Sequence, residues 1–266
     1  MKPVEVKRGD SPVLLGLPHT GTHVPAEISQ QLLPLGQALA DTDWHIHQLY
    51  DGLLAGATTV RATFHRYVID ANRDPSGTSL YPGQNTTGLV PLTDFDGKEI
   101  WRTPPDAIEV ERRRIAFHAP YHAALKAELA RLRARHGFAI LYDCHSIRSE
   151  IPFLFAGRLP DFSIGTNGST TCAPQVEATV LQVCNAAEGY STVLNGRFKG
   201  GWTTRHYGQP ESGIHAIQME LAQSTYLTAE RPPWAYDASH ATRLRRPLGA
   251  LLENLANLAL KAGDLT

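Results

Sequence analysis

The chain has 266 residues, of which 42% are hydrophobic, and it carries a formal net charge of −1. A chain of this size can bury a sizeable core, and we expect a single domain over residues 1–266. The near-neutral charge excludes a general electrostatic attraction to nucleic acid or to an anionic membrane, so neither is expected as a partner. There is no long apolar segment, no signal-peptide pattern and no CxxC spacing among the three cysteines. These features predict a soluble cytoplasmic protein and leave its oligomeric state open.

Short apolar runs alternate along the chain with stretches of helical period, a pattern typical of βαβ units and a mainly parallel, buried sheet. Strands are predicted near residues 12–17, 57–62, 66–70, 138–143, 152–156, 191–195 and 214–220. Helices are predicted near residues 26–34, 43–54, 108–135, 174–187 and 239–261. Pro120 is expected to kink or divide the third helix, and Gly137 is expected to close it.

Two long stretches, residues 72–106 and 157–173, contain many turn residues and no regular period. Loops of this length in a compact domain are usually functional or disordered. Because both stretches contain scattered aromatic or cationic side chains, we expect them to cover a crevice.

Three predicted strands end in side chains that can bind a metal or move a proton. His19 follows the first run, His145 ends the segment Phe138 to Ser146, and Glu220 ends the run that begins at Ile214. In an open parallel sheet, ligands collect beyond the carboxyl ends of the strands. Two imidazoles and one carboxylate in such a crevice favour a metal-assisted hydrolase. The alternative for either histidine alone is a buried ring that hydrogen-bonds to the backbone.

A catalytic zinc site needs three protein donors and keeps one position open. His19 and His145 are the first two candidates, and the third is open among several carboxylates. Asp41 or Asp43 could bind the ion or serve only as a helix N-cap. Asp143 shares a strand face with His145 and could be a ligand or could orient one. The orienting role is equally open to His23 and His45.

Glu220 is the candidate general base, because a carboxylate after so apolar a run is partly desolvated and its pKa rises toward the useful range. The alternative is an ordinary glutamate at a helix start. Nucleophilic catalysis by Cys144 is disfavoured, since adjacent residues of a strand face opposite sides and His145 could not easily serve it. We expect Cys144 to be a buried structural thiol.

Several arginines lie after predicted strands. Arg73 and Arg148 occupy such positions, and Arg205 lies in the glycine-rich segment 195–208. Because the planar guanidinium matches a carboxylate, arginines around one crevice imply a small-molecule substrate with one or more carboxylates. A solvated surface position is the alternative for any single arginine.

Long motifs in this chain are similar to those of a known family, the N-formylglutamate amidohydrolases, also called N-formylglutamate deformylases. The matching stretches are LPHTGTHVP (17–25), DTDWHIHQLYD (41–51), RYVIDANRDPSGTSLYPGQNTTGL (66–89), PYHAALKAELARLRARHG (120–137), DCHSIRS (143–149), GTNGSTTCAP (165–174), LNGRFKGGWTTRHYG (194–208) and IQMELAQSTY (217–226). The resemblance covers the chain from near its start to about residue 236. It departs at Trp202, where many members have a smaller residue.

The resemblance implies a zinc-dependent hydrolase with a fold similar to zinc carboxypeptidases and related amidases, in three layers with a mixed, mostly parallel sheet between helices. Members hydrolyse N-formyl-L-glutamate to formate and L-glutamate, the closing step of one bacterial route of histidine degradation. The family pattern places one Zn²⁺ on His19, Asp43 and His145, and makes Glu220 the catalytic carboxylate. The candidate substrate contacts are Arg73, Arg148, Arg205, Asn195 and Tyr81.

Two other functions fit the same residues. One is a zinc amidase that acts on another N-acyl acidic amino acid or on a cell-wall peptide amide. The other is a non-catalytic dicarboxylate-binding protein. Two imidazoles and one carboxylate also suit Fe²⁺, Co²⁺ or Mn²⁺, so other divalent ions are possible.

Overall fold

A seven-stranded mixed sheet forms the centre of the protein. The computed structural model describes residues 1–78 and 85–260. The strands are β1 (Val4–Lys7), β2 (Val13–Leu17), β3 (Thr58–Ala62), β4 (Ala139–Ile147), β5 (Phe162–Gly165), β6 (Thr192–Leu194) and β7 (Ile214–Ala222). Their order across the sheet is β1-β3-β2-β4-β7-β5-β6. The β1–β3 and β5–β7 pairs are antiparallel and the other pairs are parallel. The predicted α/β fold with a mixed, mostly parallel sheet is confirmed.

Helices cover both faces of this sheet. They are α1 (Ala26–Ser29), α2 (Pro34–Gln37), α3 (Ile46–Tyr50), α4 (Ala107–Arg113), α5 (Ala119–His136), α6 (Pro174–Ala186), α7 (Trp202–Tyr207) and α8 (Ala238–Ala256). On one face, α5 packs against β1 to β4, whereas α3, α6 and α8 pack on the other. The two central strands β2 and β4 are buried along their whole length, as expected for strands covered on both faces.

The third predicted helix is divided where Pro120 indicates. A π-helical turn, Arg114–His118, separates α4 from α5, and α5 begins one residue before the proline. Proline lacks an N–H and its ring displaces the preceding turn, which accounts for the irregularity. Gly137 ends α5 in the left-handed conformation, with a φ of 82°. Both sequence expectations are confirmed.

Several predicted elements are wrong. Residues 66–70 and 152–156 form turns rather than strands. The first of these segments is buried, so the apolar pattern reported its burial and not its backbone conformation. The predicted loop 157–173 contains strand β5, and β1 and α7 were not predicted. Two short helices, α1 and α2, replace the predicted helix 26–34. Pro34 is the first residue of α2, a position that proline tolerates, and it does not continue the preceding helix.

The cysteines Cys144, Cys172 and Cys184 are buried free thiols, as expected from their spacing. Burial raises the pKa of the Cys144 thiol well above its ordinary value, so this side chain is an inert part of the core. Among the described residues, no helix combines the length and apolar character that crossing a bilayer requires.

His215 in β7 makes the stability of the fold depend on pH. Its buried Nδ1 accepts a hydrogen bond from the Ala173 N–H at 3.2 Å, so the folded state needs the neutral ring. Burial lowers the pKa of His215 to about 4, whereas an unfolded histidine titrates near 6.5. The unfolded state therefore takes up the proton first, and stability falls as the pH drops from about 6.5 toward 4.

We expect the change His215→Gln to remove this part of the acid sensitivity, since an amide does not titrate and can still accept the hydrogen bond. Between pH 7 and pH 5, the wild-type protein should lose roughly 1–2 kcal/mol more unfolding free energy than the variant. Urea unfolding at the two pH values measures this difference. Equal losses in both proteins would contradict the role given to His215.

Candidate functional site

Two neighbouring strands carry the catalytic candidates in register. In the β4–β7 pair, His145 lies opposite Glu220, and Asp143 lies opposite Gln218. Both strands continue beyond the predicted ends, to Ile147 and Ala222, so the two candidates lie within strands. Because alternate residues of a strand share a face, all four polar side chains lie on one side of the sheet. The ladder of backbone hydrogen bonds therefore fixes their relative positions.

His19 and Asp43 approach this face from two loops. His19 follows β2, and Asp43 precedes α3, with its N–H donating to the His19 carbonyl oxygen at 3.0 Å. The His19 Nδ1 atom lies 3.2 Å from the Nδ1 of His145. The Asp43 Oδ2 atom lies 3.4 Å from His145 Nδ1 and 3.9 Å from His19 Nδ1. All three side chains are buried.

This triad could hold a metal ion, since its three ligand atoms lie within 4.8 Å of one another. Ligands at about 2.0–2.1 Å from a tetrahedral zinc are about 3.3 Å from each other. The observed separations of 3.2, 3.4 and 3.9 Å approach that value. Two imidazole nitrogens and one carboxylate oxygen are also the donor types that a catalytic zinc site uses.

Each imidazole has a second carboxylate beside its other nitrogen. His19 Nε2 bonds to Asp70 Oδ1 at 2.7 Å, and His145 Nε2 lies 2.9 Å from Asp143 Oδ2. Metal-binding histidines typically make such contacts, which fix the ring and direct the other nitrogen to the ion. Asp143 therefore lies where an orienting partner of His145 is expected, one of the roles left open by the sequence. Sequence reasoning missed Asp70, although this residue also ends a run interpreted as a strand.

The ionisation of the triad reflects the charges around it. Burial and the Arg66 charge lower the pKa of His19, despite the adjacent Asp70. Burial would also lower the pKa of His145, but Asp143 raises it well above its ordinary value. Burial would raise the pKa of Asp43, but the Arg66 guanidinium reverses the shift and lowers it. Asp43 is thus held as an anion beside two imidazoles.

The other candidates for a third or orienting residue lie elsewhere. Asp41 accepts hydrogen bonds from the Tyr67 hydroxyl at 2.7 Å and from the Phe95 N–H at 2.9 Å. His45 Nε2 bonds to the carbonyl oxygen of Trp234 at 2.8 Å. The backbone of His23 pairs with the segment around Phe64. Asp43 is therefore the candidate carboxylate that lies next to both His19 and His145.

Glu220 is buried, with 6% of its surface exposed, and it lines the same cavity as His19 and His145. Its Oε2 atom accepts a hydrogen bond from Gln218 Nε2 at 3.2 Å, and Gln218 Oε1 in turn accepts the Gly201 N–H at 2.7 Å. Burial raises the pKa of Glu220 to about 8, although the His145 charge opposes the shift. A bound cation would favour the ionised form further. Such a carboxylate can exchange a proton near neutral pH.

Asn72 joins the triad to the start of α7 and was also missed by sequence reasoning. Its Nδ2 lies 3.2 Å from His145 Nε2, and its Oδ1 accepts the Thr203 N–H at 2.9 Å. A β-carbon at Gly201 would overlap the Asn72 side chain, so glycine is required there.

A cavity of about 360 Å³ opens onto these residues. Its walls include His19, His145 and Glu220 together with parts of both segments that flank residues 79–84. The arginines Arg73 and Arg197 also line it. The volume falls in the range of small-molecule sites.

The predicted substrate contacts differ in their positions. Arg73 lines the cavity, where its guanidinium donates to the Thr87 carbonyl and hydroxyl oxygens, both at 2.8 Å. Three others are absent from the described cavity wall and have local partners. Arg148 donates to Asp96 at 3.0 Å, Arg205 to the Gly200 carbonyl at 2.9 Å, and Asn195 to the Thr166 hydroxyl at 2.8 Å. Tyr81 lies outside the described residues.

The sequence and the fold are similar to those of known proteins. The family profile described as N-formylglutamate amidohydrolase matches residues 11–227. An N-formylglutamate deformylase from Pseudomonas aeruginosa is 50% identical over 252 residues, which cover 94% of this chain and 94% of that protein. One from Pseudomonas putida is 44% identical over 257 residues, with 96% of each chain covered.

Solved structures agree with these sequence matches. The crystal structure of an N-formylglutamate amidohydrolase from Ralstonia eutropha has a TM-score of 0.78 at 25% identity, covering 96% of this chain and 97% of that one. A gene product from Agrobacterium tumefaciens shares the fold, with a TM-score of 0.70 at 18% identity over 95% and 96% of the two chains. From the profile match and the two close relatives, we conclude that the chain belongs to the N-formylglutamate amidohydrolase family.

Proposed function

We propose that the protein is a zinc-dependent hydrolase that converts N-formyl-L-glutamate and water into formate and L-glutamate. The observation that carries this proposal is the cluster of His19, Asp43 and His145 beside a cavity that His19, His145 and Glu220 line. The names of the two Pseudomonas relatives support the substrate. The cytoplasmic location, the role in histidine degradation and the single-domain organisation stay predictions.

When bound by three protein ligands, Zn²⁺ lowers the pKa of a water to about 7 and polarises a carbonyl group. The residues of this chain supply the proton transfers. Glu220 takes the proton of the attacking water, whose oxygen bonds to the formyl carbon, and then delivers it to the glutamate nitrogen as the C–N bond breaks. Gln218 holds the Glu220 carboxylate in place through the 3.2 Å hydrogen bond. Neither Cys144 nor any other nucleophilic side chain is needed.

The cavity arginines suit the two carboxylates of the substrate. Arg73 and Arg197 both line it, and an arginine fork can bind a carboxylate through two parallel hydrogen bonds. We propose that Arg73 binds one substrate carboxylate. Substrate contacts by Arg148, Arg205, Asn195 and Tyr81 stay predictions, as does the absence of a nucleic-acid partner.

Formate release from N-formyl-L-glutamate tests the activity. We expect release that stops on chelation and returns with Zn²⁺. The change Glu220→Gln removes the proton acceptor with little change in size, and should lower turnover by about 10²–10⁴-fold while the metal is retained. Metal analysis of the same preparation checks the second point.

Parallel assays with N-formyl-aspartate and N-acetyl-glutamate separate the proposed substrate from other N-acyl acidic amino acids. Near-normal turnover by the Glu220→Gln variant would remove Glu220 as the base. Binding of N-formyl-L-glutamate by the metal-loaded protein without formate release would instead favour a dicarboxylate-binding protein.

The carboxylate behind His145 should tune metal affinity. In the variant Asp143→Asn, the ring loses an anionic partner at 2.9 Å, and we expect zinc to bind about 10–100-fold more weakly. Competition with a chromogenic chelator measures the affinity. Glu128→Gln is the matched control, because Glu128 is an equally buried carboxylate whose partners are Arg8 and Arg131. An equal loss of affinity in both variants would show that Asp143 acts only through general stability.

A further inference from the structure

Arg66 is a buried cation that contacts the triad without belonging to it. It lies in the turn after β3, with 5% of its surface exposed. Its guanidinium carbon lies 4.9 Å from the centre of the Phe95 ring, which covers it. A charge removed from water in this way needs close anionic partners, and both of its partners are carboxylates of the site.

The two oxygens of Asp43 have different partners. Oδ1 accepts a hydrogen bond from Arg66 Nη2 at 2.6 Å. Oδ2 accepts the Ser146 N–H at 3.0 Å and is the oxygen that faces the nitrogens of His145 and His19. The carboxylate is therefore held at both ends, and one oxygen is directed to the ligand cluster.

A second, longer ion-pair contact joins Arg66 to Asp70. Its Nη1 atom lies 3.9 Å from Asp70 Oδ2, and Asp70 holds His19 through its other oxygen. Arg66 thus faces the carboxylate ligand and the carboxylate that orients a histidine ligand. The rigid fork of an arginine can serve two carboxylates through separate nitrogens, whereas a lysine offers a single point charge.

The number of Asp43 oxygens that bind the ion determines whether a coordination position stays open. If both Asp43 oxygens bound the ion beside its water, the site would already hold five ligand atoms and would leave no position for the substrate oxygen. The charge-assisted hydrogen bond to Oδ1 opposes this, because the positive guanidinium 2.6 Å from that oxygen repels a second cation.

We propose that Arg66 is a positioning residue that restricts Asp43 to single-oxygen coordination and thereby keeps a coordination position open. This inference rests on the proposed metal site. It assigns no contact between Arg66 and the substrate, and its test needs no turnover.

Co²⁺ loading tests it through a spectroscopic signature, since the visible bands of Co²⁺ are strong in four-coordinate sites and weaken as the coordination number rises. We expect strong bands in the wild-type protein and weaker bands in the Arg66→Lys and Arg66→Met variants. Both variants should also bind Co²⁺ about 10–100-fold more weakly, as chelator competition measures.

Arg113→Lys and Arg113→Met are the matched controls. Arg113 is also buried, donates to the Glu109 carboxylate at 2.7 Å and lies 5.0 Å from the Trp101 ring centre. These variants should keep the wild-type spectrum and affinity. Thermal unfolding of all four identifies any variant that has lost its fold, and Arg66→Lys, which keeps the charge, is the milder change.

Bands of wild-type intensity in both Arg66 variants would overturn the inference and leave the metal site intact. A folded Arg66→Lys variant that binds no Co²⁺ would also overturn it, because a merely reoriented Asp43 would remain a ligand. Absence of Co²⁺ binding by the wild-type protein would instead reject the proposed metal site.

Discussion

The burial of negative charge beside two imidazoles is the constraint on which the site depends. Asp43, Asp70, Asp143 and Glu220 are all at least 94% inaccessible to water, and they surround His19 and His145. Removing so many carboxylates from water costs several kcal/mol each unless cations and hydrogen bonds compensate. Arg66 and Arg73 supply part of the compensation to Asp43 and Asp70. A divalent cation at the triad would supply more, so metal binding and stability are coupled in this account.

The sheet explains why distant parts of the chain can assemble this site. The pairing of β4 with β7 sets His145 beside Glu220, and the pairing of β2 with β4 brings Gly16 opposite Asp143. Glycine fits there because a β-carbon would lie only 3.1 Å from the Asp143 carboxylate oxygen. The strands thus supply the base and one ligand, whereas loops supply the residues that enclose them.

Much of this arrangement can be predicted from the sequence. Polar residues that end apolar runs indicated His19, His145 and Glu220, because such runs form buried strands whose ends meet at one edge. Asp43, however, was selected over Asp41 only through the family resemblance, since both occupy one polar segment. Asp70 escaped notice although it also ends an apolar run, because its role depends on the position of His19. Residue patterns report burial more directly than backbone direction, and an orienting residue becomes recognisable only when its partner is located. The roles of the arginines also depend on where their partners lie. The charge of Arg148 does not by itself show whether this side chain binds Asp96 or lines the cavity.

The central claim is that one divalent ion is bound by the Nδ1 atoms of His19 and His145 and by Asp43. A crystal structure of the zinc-loaded protein, with anomalous scattering recorded on both sides of the zinc edge, tests it most directly. The account predicts one zinc peak at about 2.0–2.2 Å from the two Nδ1 atoms and one Asp43 oxygen, with both Nε2 atoms still facing Asp70 and Asp143. A peak bound to different side chains, or to the Nε2 atoms, would contradict it.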